Sequence, residues 1–487
     1  MNIPHKNLIF LRVSSNKEKK YCLKAGSFFS GILAKGNFME SSPGLLSSLF
    51  IKMASLPQSV GYAIDPVTYV FCMDSSLDGS IKSWQKVNKD KAEARLVSDL
   101  EIDAGDIEKA WLRTLKGPKS KRDADKIEIY TLRRAYKKLA EKTLGQLKKR
   151  IGTRALEPSD FKNNKERMEL ISNTVQYQEN ALKERFSKKK FSEFNNKLPS
   201  PQFIFSPYFP IHHDDGWFNV MKSIWSDFLN FYKGDNGVCV LQCSIEMLDS
   251  HGDELKKFFD EIKPKHVALW LDNFGEDKAS VDDLVVFGNF VMDLNKLYIS
   301  VFNLYGGSFS MFLYPFGMSG LVCSSGYGEA KGVDPISGGL PAAKFYIKSR
   351  HTRESVATAY DLLVRADMGE TLENYYKDVC ACPICKRGIE QGRIDIIRFY
   401  GELGEEVMCK DGVARRFPTS NAMDRCAFHF LFNKLMEYRA IKKLTGSEIL
   451  EIFKKDIETW NDVDNGHGHL QNWYSALTTL SQKRSLD

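Results

Sequence analysis

The spacing of apolar residues gives the chain stretches of different texture. From about residue 199 to 325, short apolar runs alternate with segments of helical periodicity. Residues 203–208, 237–243, 266–272, 296–302 and 319–323 read as strands, and 217–232, 254–262, 281–294 and 308–316 as helices. The strands are almost continuously apolar, as expected when helices cover both faces of a parallel sheet. Residues 1–75 add strands at 8–13 and 61–65. Together these stretches predict an α/β protein built on a (β/α)8 TIM-type barrel, assembled from 1–75 and 199–375.

Residues 76–198 differ in texture. Helix-favouring residues dominate, and Lys and Arg are dense from Lys116 to Arg150 and again from Lys183 to Lys190. This reads as a helical insertion with a basic face, fit either for solvent or for phosphates. Its aromatics, Tyr130, Tyr136, Phe186 and Phe191, suit base stacking or a helix core. Residues 376–440 form a metal-binding subdomain in this scheme. Residues 441–487 form a helical tail whose apolar stripe (Ile449, Leu450, Ile452, Phe453, Ile457) is expected to pack on it.

Composition narrows the picture. An apolar share of 43% supports a full core and excludes a wholly disordered chain. The net charge of +7 is compatible with a nucleic-acid partner without requiring one. The ten cysteines show no disulfide framework, and Cys22, Cys72, Cys239, Cys243 and Cys323 lie in apolar surroundings, as in a reducing cytoplasm. The first residues, Met1-Asn2-Ile3-Pro4-His5-Lys6, lack the apolar region of a signal peptide. No apolar run reaches the roughly 18 residues of a membrane span, so a cytoplasmic protein with no membrane partner is expected.

The densest chemistry is Cys380-Ala381-Cys382-Pro383-Ile384-Cys385, a C-x-C-x-x-C run. Thiolates so spaced fold around one tetrahedral Zn²⁺ with a fourth ligand from a segment packing back on them. His429 is the expected fourth ligand, placed at the start of a helix, with Cys426 and then Cys409 as rivals. In a barrel the strand ends face one site, here Asp65, Ser206, Gln242, Ser244, Asp272, Gly306, Gly307, Ser324 and Gly326. Asp65 precedes Pro66 and also suits a simple turn. Gly306 and Gly307 offer backbone N–H groups to a phosphate, or mark an ordinary turn. The run His212-His213-Asp214-Asp215 reads as a helix N-terminus rather than a metal site. Lys344, Arg350, His351 and Arg353, interleaved with Phe345 and Tyr346, read as contacts to a nucleic-acid backbone.

The knuckle Cys380, Cys382, Cys385 and His429, placed after a barrel, resembles that of the tRNA-guanine transglycosylase superfamily. Val240-Leu241-Gln242-Cys243-Ser244 stands where that family has Val-Gln-Gly-Gly, and Gly275-Glu276 echoes its Gly-Glu. Ile64-Asp65-Pro66-Val67-Thr68-Tyr69 is similar to a segment of the DpdA branch, the proposed DNA 7-deazaguanine transglycosylases. So are Gly338-Gly339-Leu340-Pro341, Lys344-Phe345-Tyr346 and His351-Thr352-Arg353. The resemblance covers roughly 199–440 plus 55–75.

It implies exchange of guanine in DNA for a 7-deazaguanine base such as preQ0, through an Asp glycosyl-enzyme intermediate. It also implies a structural Zn²⁺ and, as partners, DNA and accessory helicase or ATPase proteins. The family's nucleophile lies in Asp-Met-Phe-Asp-Cys, but here the equivalent Ser319-Gly320-Leu321-Val322-Cys323 has no carboxylate. Asp272 is taken as the replacement nucleophile. Asp65 is taken as the acid/base, in the place of the family's general base, whose Asp-Ser-Gly-Gly-Phe-Gln stretch this chain lacks; the reverse assignment of the two roles stays open. Phe71, Tyr208 and Phe274 would sandwich the base and Gln242 would read its edge. The alternatives are a tRNA-guanine transglycosylase, or a nucleic-acid-binding subunit that has lost the chemistry.

Overall fold

The computed structural model describes residues 8–13, 16–26, 28–72, 135–152, 154–186, 199–212, 216–324, 343–408, 414–464 and 468–486. Nine parallel strands form the central sheet: β1 (Leu8–Val13), β2 (Gly31–Lys35), β3 (Gly61–Asp65), β4 (Ile204–Phe205), β5 (Pro210–Ile211), β6 (Gly237–Cys243), β7 (His266–Leu271), β8 (Ser300–Asn303) and β9 (Met318–Ser324). Their order is β3-β2-β1-β9-β8-β7-β6-β4, with β5 also pairing β6. An Ala63–Phe203 bridge joins the two ends of this path. The result is a nearly closed barrel of eight staves, as the alternating pattern predicts. Strands β1, β6, β7 and β9 are buried at every position, which accounts for their unbroken apolar runs.

The fourth stave is the irregular one. The expected strand 203–208 shrinks to Ile204–Phe205, and pairing resumes only at Pro210. Against β6 the partners are Ile204 with Gly237 and Pro210 with Gln242, so this stave carries one residue more than β6 over the same span. That bulge holds Ser206 and Tyr208. The expected strand 296–302 begins late, at Ser300. Lys296 ends the Val281–Lys296 helix, and Tyr298 follows at φ +61, its ring 95% exposed. Strand β2 was not anticipated, being five residues set between two helices.

Of the stretch expected to be an inserted helical block, the Asn164–Phe186 helix instead packs on the Pro43–Ala54 and Trp217–Phe231 helices and on β4. It is the outer helix between β3 and the fourth stave, because Leu170, Ile171, Val175 and Leu182 sink into the barrel's core. Cations nearby are paired with acids: Lys142 with Glu40 and Glu184, Arg150 with Glu166. The Lys and Arg of 116–134 and 188–190 lie outside the described residues.

After β9 and residues 325–342, which also lie outside them, a β10–β11 hairpin (Lys344–Ile347, Thr352–Ser355) leads to the cysteine knuckle. The Ser420–Ile441 helix packs on β10. The tail does not settle on the knuckle. The Gly446–Asp464 helix pairs with the His469–Leu486 helix, which lies along Val281–Lys296, with Leu480 filling the space over Gly288. Among the described residues no helix is long and apolar enough to cross a membrane.

Candidate active site and metal centre

Asp65 ends β3 and is buried. Its Oδ1 accepts the Tyr208 hydroxyl at 2.7 Å and the Val67 N–H at 2.9 Å. Oδ2 takes no hydrogen bond among the described residues. Val67 adopts φ +45, a left-handed conformation rare for a β-branched residue, and the carboxylate pins it there. Thr68 clasps the bulge opposite: its Oγ1 donates to the Tyr208 carbonyl and accepts the Tyr208 N–H, both at 2.8 Å. Asp-Pro-Val-Thr is therefore a strained turn tied across the seam where the barrel closes, and not a loose surface turn.

Around this pair the mouth is walled by aromatic rings. Tyr69 stacks on Tyr208 at 5.8 Å and meets Trp270 edge-on at 4.6 Å, and Trp270 lies 4.7 Å from Tyr305. The Arg12 guanidinium sits 4.2 Å over Tyr305. Lys35 stands beside Asp65 in the β2–β3 register. Burial raises the Asp65 pKa, and the Tyr208 and Val67 hydrogen bonds and the charges of Lys35 and Arg12 oppose the rise. Burial also raises the Tyr208 phenol, and Asp65 adds to it, so its proton stays on.

Gln242 shares the register of Trp270 on the neighbouring strand and is fully buried. Neither its Oε1 nor its Nε2 has a hydrogen-bond partner among the described residues. An unpaired buried amide costs about 1–3 kcal/mol per group, and such a cost is usually offset by a ligand or ordered water. Arg12, Lys35, Tyr69, Trp270 and Tyr305 escaped the sequence reading. A lone cation inside the apolar strand Leu8–Val13 was the available signal for Arg12.

The remaining expected site residues are placed as follows. Asp272 follows β7, half-buried, its N–H donating to the Cys243 carbonyl. Phe71 is wholly buried in the core, and its carbonyl accepts the Leu156 N–H. Phe274 packs edge-on against Phe287 of the outer helix, at 5.7 Å, and so belongs to the barrel's outside. Gly307 does not cradle a phosphate with its N–H, which donates to Glu276 at 2.9 Å. Glu276 also accepts Ser310 N–H and Oγ, and Gly306 packs on Leu321 and Ser310. His213, Asp214, Asp215, Gly326, Gly338, Gly339, Leu340, Pro341 and Cys409 lie outside the described residues.

Two members of the expected backbone-contact set, Arg350 and His351, are corrected. Arg350 is buried, with its guanidinium 4.8 Å over Trp460. His351 is buried between Glu437 and Asp456, each at 3.2 Å. Arg353 lies 4.1 Å over Phe430, and Phe345 stacks on His429 at 4.3 Å. Cations among aromatics here are internal packing; Lys344 is half-buried at the hairpin's start.

Cys380, Cys382, Cys385 and His429 place their ligand atoms within 4.8 Å of one another, all buried. His429 Nδ1 lies 3.9, 3.4 and 3.5 Å from the three sulfurs. Its Nε2 bonds the Tyr346 carbonyl at 2.9 Å, which keeps a proton on Nε2 and turns Nδ1 toward the sulfurs. Tyr375 and Tyr400 hydroxyls approach Cys385 Sγ at 3.2 and 3.1 Å. His429 does not open its helix, which starts at Ser420 under a Thr419 cap. Cys426, the rival, turns to the Tyr400 carbonyl and stays outside the cluster. Burial lowers the His429 pKa, but hydrogen bonds to Cys380 and Cys382 outweigh it and carry it to about 10. Three thiols and an imidazole sharing protons this closely make a donor set suited to a metal ion.

No protein-family model, curated protein or solved structure matches the chain.

Proposed function

We propose that the chain is a transglycosylase that exchanges guanine in DNA for a 7-deazaguanine base of the preQ0 kind. The observation that carries the reading is the buried Asp65, bonded to Tyr208 at the barrel mouth beside the unpaired amide of Gln242. An oxocarbenium-like displacement needs carboxylates in unequal protonation states, and burial favours a protonated Asp65. In the proposed step a carboxylate oxygen of Asp272 bonds to C1′ while the C1′–N9 bond breaks, its electron pair leaving with guanine. Asp65, oriented by the Tyr208 hydroxyl that donates to its Oδ1, supplies from Oδ2 the proton the leaving base takes up. The incoming base then gives a proton to Asp65 as its N9 bonds to C1′ and the Asp272 ester bond breaks. Gln242 pairs with the edge of the base, and Tyr69, Tyr208, Trp270 and Tyr305 wall it in. The target nucleotide must leave its stack to reach this depth.

Cys380, Cys382, Cys385 and His429 would hold a Zn²⁺ as a closed four-ligand site that contributes folding energy and leaves no position for chemistry. One observation favours a second reading, a binding subunit without chemistry: on β9 it is Val322, not a carboxylate, that pairs with Phe10 of β1.

Nucleoside mass spectrometry of plasmid DNA and tRNA tests both. The cells express the natural chain, Asp65→Ala or Asp272→Ala, and are supplied with the deazaguanine. Modified DNA with the natural chain alone is the expected result. Modification confined to tRNA, or absent with folded, metal-loaded protein, overturns the reading.

A further inference from the structure

A groove of about 750 Å³ opens well away from the barrel mouth, between the Asn16–Ala25 helix, the knuckle loop at Pro383–Ile384 and the Ser420–Ile441 helix. Its walls carry Lys20, Lys24, Arg387 and Arg425; of these Arg425 is paired with Glu402 at 2.7 Å and Lys20 with the groove's one acid, Asp424. That acid is already engaged, by the Lys20 ammonium and by the Tyr21 hydroxyl at 2.8 Å. Lys24 and Arg387 are exposed and have no carboxylate partner among the described residues. Phe28 and Phe428 show part of their rings to the groove, Phe28 being 39% exposed; the Arg439 guanidinium lies 4.0 Å over Phe28, and Lys24 Nζ lies 4.7 Å over Phe428, which Tyr21 meets edge-on at 4.9 Å.

Apolar rings flanked by unpaired cations match a ligand with flat apolar faces and regularly spaced negative charge. Single-stranded nucleic acid has both, because its bases are free to stack and its phosphates neutralise Lys and Arg. A duplex hides its base faces and offers the exposed parts of the rings nothing to stack on. We propose that this groove holds a single-stranded segment of DNA. The choice of deoxyribose rests on the DNA reading above; the groove itself is independent of the chemistry at Asp65.

Fluorescence anisotropy with a labelled single-stranded oligodeoxynucleotide, its duplex and the matching RNA strand tests this. The variants are Lys24→Glu with Arg387→Glu, both exposed, and separately Phe428→Ser. Each is expected to weaken single-strand DNA binding about tenfold or more while duplex binding holds. The charge-reversed chain should also lose about 0.7 of salt slope per phosphate contact removed. Unchanged single-strand affinity in the charge-reversed chain overturns the assignment and leaves the transglycosylase reading standing. A natural dimer that the same variant turns into a monomer in sedimentation, with oligonucleotide binding intact, overturns it in favour of a second copy. RNA bound more tightly than DNA, and weakened by the same variants, overturns the DNA assignment together with the DNA reading.

Discussion

Tyr208 and Asp65 stand 143 positions apart in sequence and 2.7 Å apart in space, across the one seam where the barrel's strands barely pair. The bond ties the bulged fourth stave to the end of β3. It also makes the carboxylate part of an enclosed network in place of a hydrated surface acid. Such a group serves chemistry at a cost in stability.

That cost has a sign that melting curves can read. The Asp65 pKa is raised above its ordinary 3.8 in the fold, so the native state binds a proton more tightly than the unfolded chain. Stability from this group is full below 3.8 and is lost as the pH rises through the raised value. Asp65→Asn keeps an acceptor for Tyr208 and Val67 but carries no charge. It should melt at a higher temperature than the natural chain at pH 8, and the gap should close toward pH 4. Base exchange should fall by about 10²–10⁴-fold in the same variant. Equal melting temperatures at both pH values would show that the buried charge is of no consequence.

The metal cluster makes a prediction that reaches beyond its ligands. His429 holds the Tyr346 carbonyl through Nε2, so the cluster also fastens the β10–β11 hairpin. One equivalent of zinc per chain is expected by elemental analysis. Chelation should lower the melting temperature and raise hydrogen exchange in Lys344–Ile347. Cys385→Ser should reproduce both effects, whereas Cys426→Ser, outside the cluster, should keep the metal and the hairpin protected. Zinc lost in Cys426→Ser would refute this ligand assignment.

How far this site and fold were readable follows from the range of the interactions. The knuckle is legible because three of its ligands lie within six positions. Gly237–Cys243 is legible because burial on both faces writes an unbroken apolar run. Leu297-Tyr298-Ile299 writes the same letters yet turns a corner, since a solvated Tyr and a buried one look alike in sequence. Asp65 and Gln242 are found as strand ends, but the Tyr208 bond depends on closure of the barrel. Arg350 and His351 are buried where a nucleic-acid contact is expected, because cations beside aromatics describe a nucleic-acid surface and internal packing equally well.

His351 locks the hairpin to two helices, Ser420–Ile441 through Glu437 and Gly446–Asp464 through Asp456. Burial pushes its imidazole toward the neutral form, but the bonds to Asp456 and Glu437 win and hold its pKa at about 9. The stability this supplies is complete below the ordinary 6.5 and is lost as the pH rises through about 9. The gap corresponds to roughly 3 kcal/mol. In urea titrations His351→Gln should lose up to about that much at pH 6, and progressively less toward pH 10. A loss independent of pH would mean that shape, and not charge, is what the position supplies.

Gly307 tests whether the loop after β8 is built around Glu276. A Cβ added there would stand 2.6 Å from Glu276 Oε2, while the residue's N–H is already bound to Oε1. The loop cannot retreat without giving up the bonds from Ser310 N–H and Oγ to the same carboxylate. Gly307→Ala should therefore cost about 1–3 kcal/mol in denaturant titrations. At Gly404 the nearest atom to an added Cβ is 3.6 Å away, an ordinary contact, so Gly404→Ala should change stability little. If both variants unfold at the natural midpoint, Glu276 does not hold this loop in solution. If Gly307→Ala alone is destabilised, the glycine that resembles a phosphate cradle in sequence is there to let a carboxylate approach the backbone.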